Sequence, residues 1–271
     1  MNQLPNTAVP ALERLADTLH DAQASGLPVV APGFELSLDD AYGVQARLLD
    51  LRESQGERRT GRKLGFTSEA KMAQMGVSEL IVGFLTDAMA LEDGGSLDLG
   101  PLIHPRVEPE VAFRLGADVP AGSGAQALEA AIDAVAPALE VIDSRYRAFK
   151  FNLAQVVADN TSASRYVIGP WSPIEGDLSG LPVALAFDGE AVAEGTTTDI
   201  LGGPLNTLPR LASIAAEREY DLPAGSIILA GAATAAVPLT PGTAVRATVS
   251  GLGSVGFQVN PAPAPEGGLH G

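Results

Sequence analysis

Three glutamates in two apolar segments are the residues of this sequence best suited to chemistry. Glu108 and Glu110 lie in HPRVEPEVAF, and Glu140 lies in APALEVIDSRY. Side chains at i and i+2 of a strand point to one face, so Glu108 and Glu110 would repel each other unless a cation neutralises them. This pair alone is more typical of an exposed edge strand. Glu140 has apolar neighbours on both sides, and because a buried acid usually has a partner or a metal, it favours a site for Mg²⁺ or Mn²⁺.

A basic segment, GRKLGFTS from Gly61 to Ser68, is the second candidate. Lys63 lies between apolar and glycine residues, so it is predicted to be partly buried and to meet an anionic substrate. Taken alone, this segment is more typical of a solvated basic loop. The acidic composition of the rest of the chain makes a basic cluster more informative here than in an average protein.

Two further segments contribute polar side chains. VVADNTSASRYVIG contains Ser162 in a polar run that could hold a carboxylate, although a turn between two strands has the same composition. DSRYRAFKF adds Arg145 and Lys150, two cations close in sequence to Glu140. ILAGAATAAVPLTPG carries Thr234 among small residues that let a ligand approach the backbone, and tight core packing would explain it equally well.

Composition excludes several classes of function. The net charge of −16 argues against nucleic acid and anionic membrane surfaces as partners. The absence of cysteine excludes disulfides, thiolate nucleophiles and cysteine-ligated zinc, and three histidines are too few for a multi-histidine metal site. There is no apolar run of membrane-span length and no signal pattern, so a cytoplasmic location is expected.

The pattern of segments predicts an α+β fold that is mostly β. Amphipathic helices are predicted over residues 8–24, after Ser37, over about 125–135 and after Thr207, with a short helix from Thr67 or Ser68 to Gly76. Short strand-like runs fill most of the chain from residue 80. We therefore expect a helical N-terminal region carrying the lysine motif over residues 1–78, a β-rich catalytic domain over 79–260, and a disordered tail over 261–271.

Taken together, these motifs resemble the fumarylacetoacetate hydrolase superfamily, and within it the hydratase/decarboxylase branch. GRKLGFTS is similar to the family's lysine motif, Glu108 and Glu110 to its E-x-E metal pair, and Glu140 to its third metal acid. The segment from Ala158 to Ser162 is similar to its A-D-N-x-S motif, and the resemblance extends from about residue 37 to 257. It implies a mixed-sheet roll or barrel and a site in which Mg²⁺ or Mn²⁺ is held by the three glutamates.

The resemblance also implies an activity. Hydratases of the branch carry a Pro-Asp pair where this chain has Leu80 and Ile81, which favours a decarboxylase with an apolar surface around the departing carboxylate. The expected reaction is metal-dependent decarboxylation of 2-oxo-3-hexenedioate (4-oxalocrotonate) to 2-hydroxypenta-2,4-dienoate and CO₂, in the meta-cleavage degradation of aromatic compounds. Lys63 is expected to bind or protonate this 2-oxo dicarboxylate. The alternatives are a hydratase on the same scaffold and a mainly scaffolding subunit.

The resemblance further implies a complex with the pathway hydratase, and the sequence is also compatible with a homo-oligomer. The residues expected to contact substrate are Lys63, Ile81, Arg145, Lys150, Ser162 and Thr234.

Overall fold

The computed structural model describes residues 9–67 and 80–262. Within these ranges there are five α-helices: α1 (Val9–Ser25), α2 (Leu38–Ser54), α3 (Gly124–Ala130), α4 (Leu153–Ala158) and α5 (Leu208–Glu217). The strands of the larger sheet are β1 (Arg59–Gly65), β2 (Ile81–Thr86), β3 (Ala90–Leu91), β5 (Arg106–Leu115), β6 (Ile132–Ile142), β7 (Ala163–Ile168), β10 (Ile227–Ala232) and β11 (Val237–Pro238). Those of the smaller sheet are β4 (Ser96–Leu97), β8 (Pro182–Phe187), β9 (Glu190–Thr196), β12 (Ala244–Val249) and β13 (Gly253–Val259).

Both sheets are mixed, which confirms the predicted α+β, mostly β fold class. The larger sheet has the order β2-β1-β10-β5-β6-β7-β3, with β11 also paired to β5, and the smaller has the order β4-β13-β12-β8-β9. The pairs β1/β10, β3/β7 and β4/β13 are parallel, and the other pairs within the sheets are antiparallel. No helix in the described ranges is both long and apolar enough to cross a membrane.

Strand β1 places the lysine motif inside the larger sheet. It lies between β2 and β10, with Lys63 opposite Gly83 and Leu229. Gly61 is opposite Ile227, and a Cβ atom on Gly61 would lie 1.9 Å from the Ile227 carbonyl oxygen. The boundary expected at 78/79 therefore does not separate the lysine motif from the sheet. The boundary itself, most of the short helix expected up to Gly76 and the tail from residue 263 lie outside the described residues.

The apolar core forms several layers around the larger sheet. Side chains such as Leu139, Val141 and Phe257 fill the space between the two sheets. The N-terminal helices α1 and α2 pack together with α4 against β2. Helix α2 begins where expected, because the Ser37 hydroxyl accepts a hydrogen bond from the Asp40 N–H at 3.1 Å. The larger sheet is thus covered by helices and by the second sheet, which buries the polar groups on its strands.

One predicted helix boundary was wrong. The helix predicted over about 125–135 ends at Ala130, because β-branched Ile132 and Val135 already belong to β6 and pair with Leu115 and Phe113. The apolar run before the polar segment of Ser162 is the helix α4, so the alternative of a turn between two strands does not apply. A capping box at Asn152 starts that helix, with the Asn152 side chain accepting from the backbone N–H of the third helical residue.

Candidate metal centre and active site

Three buried carboxylates meet where β5 and β6 pair. Glu108 is directly opposite Glu140 in the antiparallel register, and Glu110 follows two residues along the same face of β5. One carboxylate oxygen from each of the three lies within 4.8 Å of the others. Glu108, Glu110 and Glu140 are only 6%, 1% and 0% exposed. The structure therefore brings the predicted metal ligands together in a site from which bulk water is largely excluded.

The electrostatics of this cluster favour a bound cation. Burial raises the pKa of Glu110 well above its ordinary value, and the nearby charge of Glu140 raises it further. Burial also raises the pKa of Glu140, although the Lys63 ammonium offsets part of that effect. Glu110 Oε1 and Glu140 Oε1 accept no hydrogen bond from the described chain. Buried carboxylate oxygens without donors are suitable ligands for Mg²⁺, so the residues present fit the ion.

Lys63 is the cation next to the cluster. Its Nζ lies 2.8 Å from Glu140 Oε2 and donates to the Thr161 carbonyl oxygen at 3.3 Å. Burial alone lowers the pKa of Lys63, but the charges of the three glutamates outweigh burial, and its pKa is raised. The ammonium therefore stays charged. With all groups ionised, the cluster and Lys63 together carry a charge of minus two, which a divalent ion neutralises.

A strained segment from Asn160 to Ser162 forms one wall of the site. Asn160, Thr161 and Ser162 have φ angles of 48°, 52° and 60°. Three consecutive residues other than glycine are rarely found in this left-handed region. Asn160 holds the segment on β2, because its Oδ1 accepts from the Phe84 N–H at 2.8 Å and its Nδ2 donates to the Phe84 carbonyl oxygen at 3.0 Å. The Thr161 and Ser162 hydroxyls are buried without a hydrogen-bond partner in the described chain. They are available to a ligand.

Glycine at position 83 makes this arrangement possible. A Cβ atom on Gly83 would lie 2.4 Å from Thr161 Oγ1 and 2.9 Å from the Asn160 carbonyl oxygen. Any larger residue would displace the strained segment. Gly231 plays a similar part on β10, where its N–H donates to Glu110 Oε2 at 2.7 Å and its φ angle of 106° favours glycine.

Arg145 supports the strained segment from behind. Its Nε donates to Asp159 Oδ1 at 2.5 Å, another of its nitrogens donates to the Asp159 carbonyl oxygen, and Nη1 donates to the carbonyl oxygens of Asp143 at 2.7 Å and Ala163 at 3.0 Å. These partners lie within the protein, so the guanidinium is directed away from the cavity. The structure therefore places Arg145 behind the strained segment and not among the residues that line the cavity, so its predicted contact with substrate stays a prediction.

A cavity of about 370 Å³ opens beside the carboxylates. The residues that line it include Lys63, Gly65, Phe66, Ile81, Arg106, Glu108, Ile142, Phe149, Phe151, Val156, Thr161, Ser162, Ala235 and Ala236. Among the predicted substrate contacts, Lys63, Ile81 and Ser162 are brought to this cavity. Lys150 and Thr234 are not among the lining residues: Lys150 is exposed, and the Thr234 hydroxyl donates to the Ala235 carbonyl oxygen at 3.1 Å. Their chain neighbours line the cavity instead.

Arg106 and Phe149 were missed by the sequence analysis. Arg106 lies two residues before Glu108 on the same face of β5, and its guanidinium lies over the Phe149 ring at 5.3 Å from the centroid. Among the described residues lining this cavity, Lys63 and Arg106 are the two cations, one buried and one exposed. Extending the i, i+2 rule one step before Glu108 would have found Arg106. Phe149 is itself left-handed, with a φ angle of 53° next to 57° for Ala148, and this turn has no comparable sequence signal.

Comparison with known proteins agrees with this geometry. Residues 66–260 match the family model described as fumarylacetoacetate (FAA) hydrolase, C-terminal. The chain is 48% identical over 248 residues to a 4-oxalocrotonate decarboxylase from Pseudomonas sp, covering 91% of this chain and 97% of the relative. It is 37% identical over 249 residues to a 2-keto-4-pentenoate hydratase from Paraburkholderia xenovorans (strain LB400), covering 90% and 93%.

A solved structure is also closely similar. It is the 4-oxalocrotonate decarboxylase from Pseudomonas putida G7 complexed with magnesium and adipate, with a TM-score of 0.88, 38% sequence identity, and coverage of 95% of this chain and 100% of that chain.

Proposed function

The chain belongs to the fumarylacetoacetate hydrolase family, and we propose that it is a metal-dependent carboxy-lyase that converts 2-oxo-3-hexenedioate (4-oxalocrotonate) to 2-hydroxypenta-2,4-dienoate and CO₂. The observation that carries this proposal is the buried cluster of Glu108, Glu110 and Glu140, paired with Lys63 and facing an apolar wall that includes Ile81. Two of the similar proteins named above are 4-oxalocrotonate decarboxylases. This is the carboxy-lyase activity of the meta-cleavage degradation of aromatic compounds.

The three glutamates would hold Mg²⁺, or Mn²⁺, and the bound ion would supply Lewis-acid polarisation of the 2-oxo group. In the reaction, the bond between C5 and C6 breaks and C6 leaves as CO₂. The electron pair of the broken bond stays on C5 and moves through the conjugated chain to the 2-oxo oxygen, which gains a proton to give the dienol. Lys63 donates a hydrogen bond where this negative charge develops, and its raised pKa keeps it charged for that purpose.

The strained segment provides the remaining polar contacts. The Thr161 and Ser162 hydroxyls face the cavity without internal partners, so they are suited to the 1-carboxylate of the substrate. Because the Lys63 ammonium donates to the Thr161 carbonyl oxygen, the same segment also orients the lysine. Arg145 fixes the segment through Asp159 and acts on the reaction only through that positioning.

The apolar part of the cavity lining suits a carboxylate that must lose its charge. Ile81, Phe149 and Phe151 line it with apolar surface, which favours neutral CO₂ over a carboxylate. We place the distal carboxylate of the substrate next to Arg106. Because Arg106 is exposed, water screens its charge and it holds the carboxylate weakly. It therefore contributes to recognition of a dicarboxylate without strongly stabilising the ground state.

A hydratase on the same scaffold is the second candidate, because hydratases are among the similar proteins. Ile81 argues for the decarboxylase: it is 3% exposed and presents no acid to the cavity. The product of the decarboxylase is an unstable dienol that a hydratase consumes, which supports the proposed complex with the pathway hydratase. That complex, a homo-oligomer and the cytoplasmic location expected from the sequence stay predictions.

The test is a direct product assay. Purified protein incubated with Mg²⁺ and 2-oxo-3-hexenedioate is expected to release CO₂ in step with formation of the dienol, followed by its ultraviolet absorbance. EDTA and the substitution Glu108→Gln should each abolish this activity in a folded protein. Glu190→Gln, which removes an exposed acid of β9, is the matched control and should have no effect. Hydration of 2-hydroxypenta-2,4-dienoate without CO₂ release from the dicarboxylate would show that the hydratase assignment is the correct one.

A further inference from the structure

A second cavity, larger than that of the active site, lies on the opposite face of β1. Side chains alternate along a strand, so Lys63 points to the carboxylates and its neighbour Arg62 points to the other side. That side opens into a cavity of about 800 Å³ lined by residues that include Glu53, Arg59, Arg62, Tyr220, Leu222 and Pro223. A cavity of about 370 Å³ adjoins it and shares Arg62 and Tyr220. The two cavities meet around this pair.

The Arg62 side chain is buried here without an acceptor. Arg62 is 6% exposed, and its guanidinium lies over the Tyr220 ring at 3.9 Å from the centroid. The aromatic face stabilises the positive charge but accepts no hydrogen bond from the edges of the guanidinium, which carry five N–H donors. In the described parts of the chain no side-chain or backbone oxygen forms a hydrogen bond or ion pair with this group. Burial lowers the pKa of Arg62, and the neighbouring positive charge of Arg59 lowers it further.

Tyr220 provides a second donor beside Arg62. Its hydroxyl is buried and has no hydrogen-bond partner in the described chain. The residue is held in place by a left-handed Glu219, with a φ angle of 52°, and by its own N–H, which donates to the Ala215 carbonyl oxygen at 3.1 Å. Nε of Arg218, which lines the adjoining cavity, is likewise buried without a partner. Donors without acceptors are thus concentrated at one place.

Two glutamates that line these cavities have other partners. Glu57 accepts from Arg52 at 2.9 Å and from the Thr86 hydroxyl at 2.5 Å. Glu53 lies 3.7 Å from Arg59 in an exposed ion pair. Neither carboxylate forms an ion pair or hydrogen bond with Arg62, so among the described residues the guanidinium has room for an added acceptor.

We propose that this cavity binds a small oxyanion, a carboxylate or a phosphate, through the Arg62 guanidinium and the Tyr220 hydroxyl. The anion bonds to the free edge of a guanidinium whose face is already fixed on the tyrosine ring, so little side-chain freedom is lost on binding. Leu222 and Pro223 provide apolar surface for a short carbon chain. The site is separate from the metal centre, because β1 lies between them, and it does not depend on the proposed reaction.

The experiment measures binding of inorganic phosphate and of succinate, each at constant ionic strength, to EDTA-treated protein by isothermal titration calorimetry. Without metal, the net negative charge of the active site disfavours oxyanions there, and the variants described below show at which site an anion binds. Wild-type protein is expected to bind one equivalent of at least one of the two anions. Phosphate alone would identify a phosphorylated ligand, succinate alone a carboxylate, and binding of both a site that accepts either. All three results support the proposal.

Three variants locate the binding. Arg62→Gln should weaken it about tenfold or more, the usual effect of losing a charged hydrogen-bond donor. Tyr220→Phe keeps the ring under Arg62 and should weaken binding about threefold to tenfold, and it preserves the test if Arg62→Gln fails to fold. The matched control is Arg58→Gln, which removes a cation at the rim whose side chain is 85% exposed, and it should change binding less than about twofold.

Two results would overturn the proposal. One is absence of saturable binding of either anion to the wild-type protein. If Arg62→Gln also changes the oligomeric state in that case, the acceptor for the arginine is a carboxylate of another protein subunit and not a small anion. The other is binding that Arg62→Gln and Tyr220→Phe leave unchanged, or that Arg58→Gln weakens equally, since this would indicate a general effect of surface charge.

Discussion

The substitution Glu110→Gln should stabilise the metal-free protein while it removes the activity. Glu110 and Glu140 are both buried, and burial together with the charge of Glu140 raises the pKa of Glu110. Glutamine has nearly the same shape, keeps an acceptor for the Gly231 N–H and carries no charge. It therefore removes the repulsion that the metal would otherwise neutralise, and it removes one ligand of that metal.

The size of the effect follows from the geometry. Two unit charges 4.8 Å apart, the upper limit for the carboxylate oxygens here, repel by roughly 3.5 kcal/mol at an effective dielectric constant of about 20. Lys63 offsets part of this, so we expect a gain of about 2 kcal/mol in the free energy of unfolding. For a chain of this size, each kcal/mol shifts Tm by about 2–4 °C, which gives a rise of about 4–8 °C.

The assay is thermal unfolding followed by circular dichroism at pH 8 with EDTA, with Glu190→Gln as the control for loss of an exposed acid. In excess Mg²⁺ the order should reverse, because only the wild-type protein keeps its full ligand set and gains the stabilisation that comes with binding. A variant with an unchanged or lower Tm in EDTA would refute the reasoning, since it would show that the carboxylates do not repel each other in the metal-free state.

Three other predictions concern pH, backbone and substrate. Because the folded-state pKa of Glu110 is raised above the ordinary value of 4.5, its protonated form stabilises the metal-free fold at low pH. Urea unfolding in EDTA should therefore show the free energy of unfolding falling as pH rises from about 4.5 towards the raised pKa. A free energy of unfolding that rises over this range would contradict the prediction. Gly83→Ala should lower kcat about tenfold or more by displacing Thr161, whereas Gly33→Ala, which meets no neighbouring atom, should leave kinetics unchanged. Arg106→Gln should raise KM for the dicarboxylate about threefold to tenfold with little change in kcat; a fall in kcat alone would indicate a role in the chemical step.

Local patterns were sufficient to predict part of the site. The two-residue period of a strand places Glu108 and Glu110 on one face, and an acid in an apolar run marks Glu140 as buried. The same period extended backwards would have found Arg106. These inferences need only the geometry of one strand, so they hold wherever the strand is located.

The remaining features depend on contacts between distant parts of the chain. Lys63 meets Glu140 only because β1 and β6 belong to one sheet, and nothing in either segment specifies the strand order. Arg145 looked available as a substrate-binding cation, but its acceptor Asp159 is brought to it by α4 and the turn that follows. The helix before β6 was predicted too long because Ile132 fits a helical stripe as well as a strand, and only pairing with β5 decides between them.

Gly61 fixes the register of β1 by steric exclusion. If the strand slipped by one residue, Arg62 would face the carboxylates and Lys63 would face the cavity next to Tyr220. Since both residues are cations, charge alone would discriminate poorly between the two alignments. The Ile227 carbonyl oxygen, 1.9 Å from where a Cβ on Gly61 would lie, admits only glycine at that position. Neither Thr60 nor Arg62 can replace it. The identity of the lysine in the active site is thus decided two residues away, by a residue without a side chain.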